Sequence, residues 1–170
     1  MNIIERAMHF AEESHYGQLR KYTGEPYIVH PFCVTALVRS VIHDGEVAAA
    51  ALLHDVVEDC GVTHATLKDR FGQRVADLVE MVTDVSRPED GNRRVRKEID
   101  LEHLIRACSE AQTIKLADLI DNTKSIVAFD PQFAKVYLEE KRRLLCVLHK
   151  GSQKLWDIAD NLVKMHQGKL

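Results

Sequence analysis

Residues 45–59, GEVAAAALLHDVVED, set the tightest limit on how this chain can fold. From Val47 to Leu53 the run is apolar on every side at helical spacing. A helix without a polar stripe must be surrounded by protein, so the segment predicts a buried central helix over 46–57. The rest of the chain is suited to wrapping one. Apolar residues recur at helical period almost throughout, and no alternating strand pattern of useful length interrupts them. Helices are expected over 2–16, 31–41, 63–71, 73–83, 94–107, 110–127, 131–149 and 152–166. Ile4, Ala7, Met8 and Ala11 give the first its apolar face; Leu155, Ile158, Ala159 and Leu162 give the last its own, with Trp156 packing it. Pro31 suits the first turn of the second helix. Residues 84–92, DVSRPEDGN, read as a flexible loop rich in turn formers. The expected fold is all-α, one single-domain helical bundle over 1–170 with no linker or repeat.

Bulk properties narrow the function. The 170 residues suffice for one core, and 45% hydrophobic with 29% charged residues is a globular balance. A net charge of -3 argues against a nucleic-acid partner, although a local basic cluster can still hold a small anion. No apolar run approaches the roughly 20 residues of a membrane span. Charged residues appear by Glu5 and Arg6, unlike a signal peptide, so a cytosolic protein is expected. Cys33, Cys60, Cys108 and Cys146 stand singly, which suits reduced and mostly buried thiols better than a zinc knot. A bundle of this size could be a homodimer, but no stretch marks an interface.

The polar residues at the end of the central helix are the anomaly. His54 and Glu58 are four residues apart, as are Asp55 and Asp59, so each pair shares a face if the helix continues. Four ionisable groups there are costly unless compensated, and a divalent cation would compensate them. The alternative is a solvated last turn, which the negative end of a helix dipole disfavours for acids. His30, in PYIVHP, would by itself more often be structural. Asp118 lies among Ile114, Leu116, Ala117, Leu119 and Ile120, where it needs either a cation or a basic partner such as Lys115. Asn122 is one turn further on the same face. Two histidines and two aspartates suit Mn²⁺, Fe²⁺ or Zn²⁺, with Mn²⁺ favoured if waters complete an octahedron. Arg93, Arg94, Arg96 and Lys97 form either a solvated helix start or a seat for polyphosphate. Tyr137, Lys141 and Arg142 are either a packed tyrosine with surface charges or nucleotide contacts. His9, His43, His64, His103, His149 and His166 read as surface or satisfied histidines.

Four segments carry a family likeness: HYGQLRKYTGEPYIVHP (15–31), ALLHDVVED (51–59), FGQRVADLVEMVTD (71–84) and IKLADLIDNTKS (114–125). Their ordered H…HD…D pattern resembles the HD phosphohydrolases. Within them it is most similar to the hydrolase domain of the alarmone synthetase–hydrolases and to the stand-alone small alarmone hydrolases, over residues 2–150. The resemblance implies that His30, His54, Asp55 and Asp118 hold the metal and that Glu58 and Asp59 are the catalytic acidic pair. It also implies that Arg20, Lys21 and Asn122 contact the nucleotide, and that His15 supports the site. The implied reaction removes the 3′-pyrophosphate of guanosine tetra- or pentaphosphate, with Mn²⁺ as the usual metal. Glu58 is expected to position or deprotonate the water, with Asp59 holding it, while Arg93, Lys97 and Lys141 are further candidates for substrate phosphates.

Three departures from the family pattern bear on the substrate. RKYTGEPY is one residue longer than the commoner RKSGEPY, and 83–104 differ from the usual connector. Leu119 and Asp121 stand where the family has an arginine and a histidine. Hydrolysis of another nucleotide, a nucleoside monophosphate or a nicotinamide dinucleotide phosphate, is therefore a second expectation. A metal-stabilised nucleotide sensor is a third, and the intact Glu58–Asp59 pair argues against it.

Overall fold

The computed structural model describes residues 1–167. They form ten α-helices and, among the described residues, no β structure beyond a lone antiparallel pairing of Leu19 with Pro26. The helices fall into two compact units, Met1–Thr83 and a second beginning at Asp84.

In the first unit, α1 (Ile3–Ser14), α2 (Val29–Arg39), α5 (His64–Phe71) and α6 (Gln73–Val82) accompany α3 (Gly45–Leu52) and the short α4 (Val56–Cys60). Asn2 and Glu5 cap α1 reciprocally, at 3.0 and 2.9 Å, an arrangement worth about 1 kcal/mol. Val47 through Leu52 are all buried, and α1, α2 and α6 pack on α3. Its alanines leave room for neighbouring backbones to approach. Asp44 caps α3 by accepting from the Glu46 and Val47 amides at 2.8 and 3.2 Å. Burial pushes the Asp44 carboxyl up, but those amides and Arg74 outweigh it and hold the group below the ordinary carboxylate range. Arg74 also reaches Glu46 at 2.6 Å, fastening α6 to the start of α3.

The central helix does not run to residue 57 as its composition predicts. It stops at Leu52, turns through Leu53–Asp55 and restarts as α4. The Ala51 carbonyl, which a continuing helix would offer to the Asp55 amide, instead accepts from His54 Nδ1 at 2.9 Å. Glu58 and Asp59 consequently lie in the first turn of a new helix, not the last turn of an old one. The dipole argument against them therefore reverses. Gly61, at φ 69°, ends α4 in the left-handed conformation that a glycine adopts without strain.

The second unit comprises α7 (Arg93–Arg106), α8 (Ser109–Phe129), α9 (Pro131–Leu145) and α10 (Gln153–Gln167). Helix α8 is buried from Ala111 to Ile120 save half-buried Lys115, and α9 and α10 pack against it. Helix α9 ends four residues before the expected 149 because the chain leaves to serve α8: the Lys150 amide donates to buried Gln112 Oε1 at 2.9 Å. At Gly151 a Cβ would meet Leu116 Cδ1 at 2.7 Å and the α8 backbone at Gln112 and Thr113 at 3.1 and 3.2 Å, so a larger residue would push the two segments apart. Trp156 donates to the Leu145 carbonyl at 3.0 Å and packs the last helix as expected.

Residues 84–92 are tied down rather than loose. Asp100 accepts from the Val85 and Ser86 amides at 3.0 and 2.9 Å and from the Ser86 hydroxyl at 3.0 Å, and Pro88–Asp90 form one 3-10 turn. The four cysteines are free, but none is buried: Cys33 and Cys146 are exposed and the others half-buried.

Candidate metal centre

The helix break aims His54 and Asp55. The Ala51 carbonyl can only accept, so the His54 proton sits on Nδ1 and the neutral ring presents its Nε2 lone pair. That nitrogen lies 3.1 Å from Asp55 Oδ2. His30, in the first turn of α2, brings its own Nε2 to 3.5 Å from the same oxygen. The three donors lie within 4.8 Å of one another, and both imidazole rings are almost wholly excluded from water. A lone pair aimed at a carboxylate oxygen is repulsive unless a positive centre is shared between them. Two buried nitrogens and one carboxylate make the mixed donor set of a divalent transition-metal site. The residues present fit the group.

A family model described as the HD domain matches residues 7–165. The chain belongs to the HD-domain family. A protein of Aquifex aeolicus (strain VF5) named guanosine-3′,5′-bis(diphosphate) 3′-pyrophosphohydrolase is 37% identical over 163 residues, 94% of this chain and 23% of its own. The bifunctional (p)ppGpp synthase/hydrolase SpoT of Escherichia coli (strain K12) is 33% identical over 75% of this chain and 18% of its own. The chain spans about a fifth of the length of the curated relatives it matches. A solved structure described as a metazoan ortholog of SpoT that hydrolyses ppGpp superposes with a TM-score of 0.87 at 28% identity. It covers 100% of this chain and 98% of the other. The resemblance in the four sequence segments is thus to proteins of this kind.

Around the HD residues the first unit adds side chains that sequence reading did not single out. The Tyr27 hydroxyl donates to Asp55 Oδ2 at 2.7 Å. Its ring stacks on His15 at 4.8 Å between centroids and meets His30 edge-on. Gln18 connects His15 to the acidic pair, accepting from His15 Nδ1 at 2.7 Å and donating to Asp59 Oδ2 at 2.9 Å. His15 thus supports Tyr27 by stacking and Asp59 through Gln18. The only signal for Tyr27 and Gln18 was their place in the family segment HYGQLRKYTGEPYIVHP. Glu58 and Asp59 are exposed at the start of α4. Cys60 Sγ lies 3.2 Å from His15 Nδ1. Burial, with the charges of Asp59 and Asp55, pushes this thiol up, so it is not poised as a nucleophile.

Arg20 and Lys21 open a closed loop. Leu19 pairs with Pro26, the Arg20 amide donates to the Glu25 carbonyl at 2.8 Å, and the Tyr27 amide to Gln18 at 2.9 Å. The Arg20 guanidinium lies 6.0 Å from the Tyr27 ring centroid, while Lys21 is exposed beside Tyr22. The flanks of the loop are thus paired, and the Gly24 amide at its tip donates back to the Arg20 carbonyl at 3.0 Å.

In the second unit Asp118 is buried and already has partners. Lys115 Nζ lies 3.3 Å from Oδ2, and Asn122 donates to Oδ1 at 2.5 Å. Lys97 bonds Asp84 at 2.5 Å and approaches Asp100 at 3.4 Å. Burial opposes charge on Asp84, but Lys115, Lys97 and Lys141 hold its carboxyl below the usual range. Burial likewise lowers Lys97, but Asp84 more than restores it. Lys141 stands over the Tyr137 ring at 4.9 Å, and burial brings it down to about 8 against the pull of Asp118. Lys97, Lys115, Lys141 and Arg143 line a cavity of about 90 Å³ with Asp84 and Asp100. Arg93 instead makes a two-pronged bond to Glu140, at 2.7 and 2.8 Å, and Arg143 bonds Glu98. An intramolecular carboxylate thus meets part of the charge that the basic helix start sets up. Leu119 is only 1% exposed, so the residue standing in for the family's arginine fills the core of this unit.

Proposed function

We propose that this HD protein is a metal-dependent phosphohydrolase that releases the 3′-pyrophosphate of guanosine tetraphosphate and pentaphosphate. The observation that carries the reading is the convergence of His30 Nε2, His54 Nε2 and Asp55 Oδ2, with the His54 tautomer set by Ala51. The relatives named as pyrophosphohydrolases, matched over most of this chain, support the substrate. The cation, Mn²⁺ by family habit with Fe²⁺ and Zn²⁺ as alternatives, is held by these three residues. Asp118 is the fourth ligand that the family pattern assigns. When bound, such a cation polarises a phosphoryl oxygen and acidifies water.

The side chains supply the rest. Glu58, exposed on the first turn of α4, takes the proton of the attacking water. Asp59, held by Gln18, keeps that carboxylate in place. Tyr27 fixes the orientation of Asp55, as outer partners of ligating carboxylates do. Arg20 offers a fork for phosphate and Lys21 a point charge. Asn122, Arg93, Lys97 and Lys141 are assigned to the remaining phosphates and sugar. The family model's run over 7–165 supports one HD domain across 1–170. Action on a small nucleotide in the cytoplasm, as a monomer or a homodimer, belongs to the same reading. No helix among the described residues is long and apolar enough to cross a membrane.

The test is pyrophosphate release from guanosine tetraphosphate by purified protein with Mn²⁺, beside ordinary nucleotides and phosphorylated dinucleotides. Release should be lost in His54→Ala by a factor on the order of 10³. Turnover of another nucleotide alone would reassign the substrate. Binding without turnover of any would make the protein a sensor.

A further inference from the structure

A second group of donors meets where α5 and α6 pack together, away from the HD residues of the same unit. His64 opens α5, and its Nε2 lies 3.3 Å from Asp77 Oδ1 and 3.4 Å from Glu80 Oε2. Asp77 and Glu80 are three residues apart on α6 and so share a face. All three donor atoms fall within 4.8 Å of one another. Their side chains are 36%, 41% and 61% exposed, which leaves the cluster open to an ion from solution.

The separations admit a metal as well as a shared proton. His64 Nε2 is within hydrogen-bond reach of Asp77 Oδ1, but both contacts are longer than the roughly 2.7–2.9 Å at which a charge-assisted N–H···O bond settles. Zinc–ligand bonds of about 2.0–2.2 Å in a tetrahedron put neighbouring donors roughly 3.3–3.5 Å apart. Both observed distances match that edge. In addition, Gln73 Nε2 donates to Asp77 Oδ1 at 2.5 Å, fixing this carboxylate as outer partners fix metal-ligating ones. Thr63, the N-cap of α5, accepts from the Thr66 amide at 3.2 Å and so holds the turn that presents His64.

We propose that His64, Asp77 and Glu80 form a second divalent-cation site of the zinc class, which clips α5 to α6. Three protein donors leave a coordination position for water, so the ion is exchangeable rather than sealed in. The His64-to-Asp77 spacing of thirteen residues gives no metal signature in sequence, because the two meet only once α5 and α6 close on each other across Gly72. The clip bears on the fold of α6, which packs on α3, and is independent of the substrate reading above.

The experiment is zinc titration of metal-stripped protein, counting bound ions and following the thermal midpoint, with anomalous scattering at the zinc edge to locate them. Two ions per chain are expected in the wild type. His64→Ala should lose one ion, together with its share of the zinc-dependent rise in Tm, and keep Mn²⁺-supported turnover. His54→Ala should lose the other ion. Glu80→Gln, a milder change, should weaken the second site at least tenfold. The proposal is overturned by one ion per chain in the wild type, by two ions persisting in both His64→Ala and Glu80→Gln, or by an anomalous peak at the HD centre alone. Occupancy at millimolar zinc only, an adventitious ion only, overturns it equally.

Discussion

Asp55 and Asp118, one in each unit, are the two aspartates that the family pattern proposes as metal ligands, yet their surroundings contrast. The contacts of Asp55 include two imidazole nitrogens at 3.1 and 3.5 Å and a phenol at 2.7 Å. Those of Asp118 include a lysine ammonium at 3.3 Å and an amide. A carboxylate facing ring nitrogens and a hydroxyl gains most from a cation, whereas one beside a lysine is partly neutralised already. The burial of an aspartate therefore does not by itself mark a ligand; the charge of its neighbours decides how much it gains from a cation. The same contrast separates the two regions at large. The first gathers nitrogen donors and acids around one point, and the second balances three lysines against three aspartates.

If the first region does the chemistry and the second holds charge, their variants should fail differently. Glu58→Gln should cut kcat by about 10²–10⁴ while leaving Mn²⁺ binding and KM near wild type. A loss in KM alone would move Glu58 out of proton transfer. Tyr27→Phe removes one hydrogen bond from Asp55 and should weaken Mn²⁺ about tenfold to a hundredfold, read by metal titration. Unchanged affinity would make the tyrosine a packing residue only.

The smallest effect should come from the second region. Lys141 loses its proton near 8, where an exposed lysine would keep it to 10.5. Its charge is present below that value, so affinity for inorganic phosphate should fall about tenfold as pH rises from 7 to 9. Lys141→Arg should flatten the profile, and a flat wild-type profile would exclude Lys141 from the anion site. Stability carries the opposite sign. The folded chain binds fewer protons here than the unfolded one, so this group's contribution rises with pH between about 8 and 10.5.

How far residues predicted structure depended on whether the deciding interaction was local. Helical period alone placed α5, α6 and α7 within a residue or two, because their apolar faces and caps are written in adjacent positions. The grouping of His30, His54 and Asp55 was legible through the family pattern, and the HD pair also through its cost in a buried helix. The turn at Leu53–Asp55 was not. AAAALL favours continuation, and at the break His54 Nδ1 takes the Ala51 carbonyl that the next turn would have used. Gln18, Tyr27 and Lys141 owe their roles to partners far away in sequence or to burial, which periodicity does not report. The expected burial of the cysteines failed for a related reason: an apolar side chain on a helix says nothing about which face its neighbours leave uncovered.

The loop that begins at Arg20 is closed at its neck by the Leu19–Pro26 pair and by the Arg20–Glu25 and Tyr27–Gln18 bonds. A neck of this kind holds the two ends together, and the Gly24 amide ties the tip back to the Arg20 carbonyl at 3.0 Å. A change of length among Tyr22, Thr23 and Gly24 must rebuild the turn that Gly24 closes on Arg20, while the paired neck still keeps Tyr27 in register. Of the two ends, Arg20 is therefore the one through which a longer or shorter tip is felt, and Tyr27 the one that the neck shelters.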